Sequence, residues 1–350
     1  LGRIINDFFI NEKLNVELLK ANINTKELIT NINSCSYKAI WHISEMLERL
    51  LYAIEDNKKK EEIVSKIDID ILAEEINKHY KEMHMEEFLN IEALIKFHNE
   101  TLGIELYNKT KECIKYYFSK DALKAYESME DKFIWGFLGY SFFSDKQPKI
   151  KYRKIAKEIL DGIDIEILAN QVSDTNLHDM ERYARLFIWI DNVNISITRK
   201  VVQKINFDKI DNNVKEYFKE PPRELRLFIN SIGVTEEKFF YKWMDKHLEQ
   251  IQIADPVISL VYPKVVENCV NNNLKVDIFG HNDCFQEALH MIMAVNEYNS
   301  KLARKVMELS KNNIANRISN LKYSIDFTDN EPYEFMIYIN KNYGDIFEEI

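Results

Sequence analysis

With 350 residues, 46% of them hydrophobic but only eight glycines and six prolines, the chain has a core to bury and few turn-formers. That excludes a sheet protein of this size and points to an all-α fold. The charged fraction of 30% and net charge of −10 exclude broad, nonspecific attraction to nucleic acid or anionic membrane, though not a local basic groove.

The opening "LGRIINDFFINEKLN" starts without methionine and has no secretory character; it reads as the middle of a helix, so a longer polypeptide is expected. Leu19, Ile23, Leu28 and Ile32 then introduce an apolar pattern that runs four before, five after and nine after an anchor residue. The phase break across the anchor is what a tight turn between two helices requires. Asn24 follows this first anchor, and a short side-chain oxygen there can cap the next helix. After a helix over Tyr37–Ile54, the pattern returns complete at Ile63, Ile67, Leu72 and Ile76 with Asp68 as the cap. It returns in part at Ile114, Phe118 and Leu123, with Ser119 in the cap position.

The aromatic run "FIWGFLGYSFF", residues 133–143, is too short to span a bilayer as a helix. Core packing and a partner-anchoring patch built on Trp135, Phe137 and Tyr140 are both open readings of it. The polar stretch at Ser144–Lys154 holds the first proline, Pro148, and divides the chain into halves 1–147 and 148–350.

The second half repeats the pattern at Ile159, Ile163, Leu168 and Val172, capped by Asp164, so that "IDIEILANQV" nearly restates "IDIDILAEEI" from residues 67–76. A helix over Met180–Asn194 leads to a fourth complete copy at Val201, Ile205, Ile210 and Val214, capped by Asn206. A helix over Arg223–Thr235 leads to a partial match at Phe239, Trp243 and Leu248. Pro263 should split the helix in "ISLVYPKVVENCV", where a degenerate unit fits, and a helix over Phe285–Asn299 precedes a last partial match at Leu309, Ile314 and Ile318. Met244 and Ser310 follow the last two anchors.

A unit that cannot bury its own apolar face must stack on a copy of itself. Units of this length, with two or three helices each, read as one continuous, irregular α-solenoid of HEAT- or armadillo-like dimensions. The cadence "FIWIDNVNISITRKVVQKINFDKIDNNV", together with residues 58–77 and 150–235 at large, resembles the helical repeats that follow the nucleotide-binding core of bacterial and archaeal STAND-type NTPases. The resemblance implies a sensor arm, often in defence. The chain departs from the family in lacking a GxxxxGK[ST] loop, so any NTPase activity is expected outside it.

No catalytic constellation emerges from the residues themselves. Cys269, His281, Asp283 and Cys284 lie close in sequence without CxxC or HxxxH spacing, and His79 and His84 do not share a helix face. No GxSxG elbow is present, and no arginine has histidine five residues later. Neither a metal nor a cofactor is expected. Cys35, Cys113, Cys269 and Cys284 form no disulfide framework, which points to a reduced, cytoplasmic setting. Arg199–Lys200 and Arg304–Lys305 recur at one place in the repeat and could line a phosphate-tracking stripe. The sequence reading is a non-enzymatic scaffold for a protein partner, with nucleic acid as the alternative and no membrane role.

Overall fold

Three of the expected caps turn back onto the helices that follow them. Asp68 Oδ1 accepts from Asp70 N (3.1 Å) and Ile71 N (3.3 Å). Asp164 Oδ1 accepts from Glu166 N (3.0 Å) and Ile167 N (3.1 Å), and Asn206 Oδ1 from Asp208 N (3.1 Å) and Lys209 N (3.3 Å). Each satisfies amides that have no partner within their helix.

The computed structural model describes residues 25–34, 36–130, 150–251, 254–280, 285–321 and 330–348. Among them every regular element is helical. The α-helices are α1 (Thr25–Ile32), α2 (Ile40–Ala53), α3 (Asn57–Val64), α4 (Ile69–His79), α5 (Met85–His98), α6 (Glu100–Lys120) and α7 (Ala122–Glu130). After residue 149 come α8 (Ile150–Leu160), α9 (Ile165–Ser173), α10 (Leu177–Val202), α11 (Phe207–Val214), α12 (Arg223–Thr235) and α13 (Glu237–Met244). The last are α14 (Pro256–Val261), α15 (Lys264–Asn271), α16 (Phe285–Tyr298), α17 (Ser300–Asn320) and α18 (Glu331–Phe347). The all-α expectation holds, and the four anticipated long helices appear as α2, the first part of α10, α12 and α16. Tyr262 and Pro263 do separate α14 from α15, giving a short helix pair where a degenerate unit was expected. The first cap, Asn24, lies outside the described residues.

A second kind of junction accompanies the caps. At Asn99, Asp121, Glu236 and Asn299 one extended residue separates two helices, with φ near −150° and ψ near +90°. The residue's N–H still closes the preceding helix, as in Asn99 N to Ile95 O (2.7 Å) and Asn299 N to Val295 O (2.7 Å). Its side chain then opens the next: Asn99 Oδ1 accepts from Leu102 N (3.1 Å), and Asn299 Oδ1 from Leu302 N (3.1 Å). One asparagine thus acts as both stop and N-cap. Asn194 (φ −156°, ψ 83°) breaks α10 in the same way.

Aligned on Asn99, Asn194, Glu236 and Asn299, the four helix pairs share one core register. Ile95, Ile190, Ile232 and Val295, a turn before each break, are all fully buried. Ile91, Leu186, Phe228 and Met291, another turn back, are buried likewise. Beyond the break, Leu106, Val201, Trp243 and Val306 match.

This register corrects the three partial matches. The position held by Ile205 in the best copy is held by Thr110, His247 and Ser310 in the others, all buried. An apolar template therefore slid onto Phe118, Trp243 and Leu309. Ser119 is helical, and the cap comes at Asp121, whose Oδ1 accepts from Lys124 N (3.0 Å). Met244 ends α13 with turns behind it, and Ser310 lies in mid-helix within α17.

The chain divides into two compact units, residues 1–168 with 192–194, and 169–191 with 195–350. The division anticipated at residues 147 and 148 falls outside the described residues. In the first unit α2 packs on α5, α5 on α6 and α4 on α6. At the tight turn after Asn99, a Cβ on Gly103 would stand 2.4 Å from Lys96 Cα, so only glycine fits this crossing. In the second unit α12, α14, α16 and α18 pack in succession, with α17 against α16 and α18. Bonds between successive helix pairs reach up to 48 residues along the chain (Tyr107 to Ile155). No helix among the described residues is long and apolar enough to cross a membrane.

Candidate functional site

Trp135, Phe137 and Tyr140 lie outside the described residues, as do His281, Asp283 and Cys284. The four basic candidates are all in the second unit. Arg199 and Arg304 are each the fifth residue after a break, and both reach into the neighbouring helix pair. Arg199 Nε donates to Thr235 O (3.1 Å), at the end of α12. Arg304 Nη1 and Nη2 pair with Asp345 of α18, and its Nε lies 3.6 Å from Glu308. That pairing holds the Asp345 carboxyl below the usual carboxylate range. Lys200 and Lys305 are exposed. In the pair that breaks at Glu236, Tyr241 takes the arginine position while the exposed Lys242 keeps the lysine position.

Two buried polar groups were not anticipated. In the second unit, Asp211 Oδ1 accepts from Trp243 Nε1 (2.6 Å) and lies 2.8 Å from His247 Nε2. Phe218 stacks flat on the imidazole with centroids 3.9 Å apart, and Phe207 stacks on Trp243 at 4.8 Å. The imidazole Nδ1 is buried with no hydrogen-bond partner. A carboxylate orienting an imidazole is the second and third member of a nucleophilic triad. Here the aromatic rings close over the pair, and the group ties α11 to the turn after α13. Its sequence signal was Asp211 and His247 one repeat apart, which is visible only once the register is known.

In the first unit, Glu92 of α5 is 4% exposed and meets Thr110 Oγ1 of α6. Burial raises its carboxyl to about 7, and the Thr110 contact only partly opposes this. Phe187, Ile229 and Ile292 hold the equivalent place in the other three pairs, so Glu92 is the polar exception at a core position. Cys113 Sγ donates to Asn77 Oδ1 (3.0 Å), and burial, with Glu92 adding to it, pushes that thiol up to about 12. Cys269 is fully buried, its thiol raised to about 11, which makes it an inert core residue. His79 stacks on Tyr37 at 4.1 Å, while His84 is exposed. No group of three His, Cys, Asp or Glu residues among the described residues could hold a metal ion.

The surface shows a regularity of its own. Tyr52, Phe97, Val234 and Leu260 are each the penultimate residue of a helix (α2, α5, α12 and α14), and each is an exposed large apolar side chain. Tyr298, last in α16, is exposed too. In the second unit the C-terminal ends of α12 and α14 adjoin, since a Cβ on Gly233 would stand 2.6 Å from Val261 Cβ, and this brings Val234 and Leu260 to one end of a helix row. Compared with known proteins, the chain matches no family model, no curated protein and no solved structure.

Proposed function

We propose that the chain is a non-enzymatic, irregular α-solenoid that binds a protein partner, and that it serves as the recognition arm of a larger STAND-like defence NTPase. The observation that carries the binding role is the set of exposed apolar side chains at helix C-terminal ends: Tyr52 (82% exposed) and Phe97 (70%) in one unit, Val234 (60%), Leu260 and Tyr298 in the other. Isolated apolar residues on a surface need no explanation, but exposed apolar side chains at the adjoining ends of α12 and α14 do. Aromatic side chains presented in this way make anchors for an apolar partner segment. The shared register supports the solenoid reading, since the same positions are buried in all four pairs. The nucleic-acid alternative draws less support, because Arg199 and Arg304 make contacts within the protein.

Photo-reactive benzoylphenylalanine placed at Phe97, Val234 or Tyr298 in cells that express the protein tests this. Discrete protein adducts are expected from these sites and not from exposed Glu105. Adducts that vanish on nuclease treatment would favour nucleic acid, and none at all would overturn the binding surface. The intact mass of the natural polypeptide tests the remainder. A much larger chain with a P-loop upstream fits the arm, and one near 41.6 kDa sinks it.

A further inference from the structure

The Glu92–Thr110 contact fixes its own protonation state by counting hydrogens. Thr110 Oγ1 contacts both Glu92 Oε1 and, one turn back in its own helix, Leu106 O at 3.0 Å. A hydroxyl has one hydrogen to give. If it goes to an ionised Glu92, one bond forms and a charge stays buried. If it goes to Leu106 O, a neutral Glu92 donates to Thr110, two bonds form and nothing charged is left in the core. The neutral arrangement wins. The register agrees, for Glu92 stands where the other pairs place Phe187, Ile229 and Ile292.

We propose that Glu92 is a proton-operated latch: neutral, it locks α5 against α6, and ionised, it loosens that pair. The titratable groups around it are Lys96 one turn along α5, Tyr107, Lys111 and Cys113 on α6, and Glu158 on α8, which pairs with Lys111 at 3.3 Å. Glu45 and Arg49 of α2, Lys60 of α3 and Glu127 of α7 are half-buried on the other helices packed against α5. None of these groups adds to the upward shift at Glu92, whose cause is burial.

The sign follows from linkage. The closed state binds the Glu92 proton up to about pH 7, whereas an opened α5–α6 pair releases it near the ordinary value of 4.5. Opening therefore becomes easier as pH rises between those values, by up to about tenfold per unit, and levels off above. Hydrogen–deuterium exchange on the full chain from about pH 5 to about pH 8 reads this directly as protection factors. Protection in α5 and α6 is expected to fall about a hundredfold over that range, while α12 and α16 show no such trend. Glu92→Gln is expected to flatten the curve. Lys96→Met should leave its midpoint in place or raise it.

Parallel curves for wild type and Glu92→Gln would overturn the latch, and so would a Lys96→Met chain that loses the response. Where Glu92→Gln fails to fold, infrared titration of the wild type decides. A protonated carboxyl band persisting at about pH 6 is expected, and its absence overturns the proposal.

Discussion

Asp211 carries two donors at once, and its loss should be felt more than that of any exposed ion pair. Asp211→Ala strands the Trp243 indole N–H and the His247 ring nitrogen among Phe207 and Phe218. A destabilisation of about 2–4 kcal/mol is expected from a chemical-denaturation midpoint, with Asp211→Asn, which keeps one acceptor oxygen, losing less. Arg304→Gln should barely move the same midpoint, because its partners Asp345 and Glu308 are exposed and water replaces them. These residue-scale roles were poorly legible beforehand. Arginine at a recurring place in a repeat reads as a ligand-binding stripe, and the sequence does not show that the side chain also reaches the next helix pair. Asp211 and His247 were never paired, because no local pattern joins residues that far apart.

At the scale of the element, the asparagine breaks are the defining device. Asn99→Ala or Asn299→Ala removes the oxygen that holds Leu102 N or Leu302 N and favours one continuous helix across the corner. A loss above the roughly 1 kcal/mol usual for an N-cap is expected in thermal unfolding. Asp68→Ala, Asp164→Ala and Asn206→Ala, whose four-residue turns remain, should stay near that figure. Cap chemistry is local, which is why these three junctions could be read from the sequence. The breaks could not, since a single extended residue interrupts neither composition nor apolar period. The slipped copies have an equally specific cause: Thr110, His247 and Ser310 put polar atoms where Ile205 puts a methyl group, and polar atoms are invisible to a hydrophobic template.

For the whole molecule, two compact units imply two unfolding reporters. Variants keeping only Trp41 or only Trp243 place the fluorophore in the first or second unit respectively. Phe88→Ala, which empties a fully buried site in the first unit, should lower the Trp41 midpoint by the equivalent of about 3–5 kcal/mol and leave the Trp243 midpoint within error. Coincident shifts would show the chain to be a single cooperative body. The all-α architecture was legible from glycine and proline scarcity.

The short reach of the bonds between helix pairs, 48 residues for Tyr107 to Ile155, has a kinetic meaning. Chain closure over such distances carries a small entropic barrier, and low contact order brings folding into the microsecond-to-millisecond range. A ribosome adds roughly 5–20 residues per second. Each helix pair therefore has time to fold before the next has left the exit tunnel, and synthesis itself sets the order in which the helices are laid down.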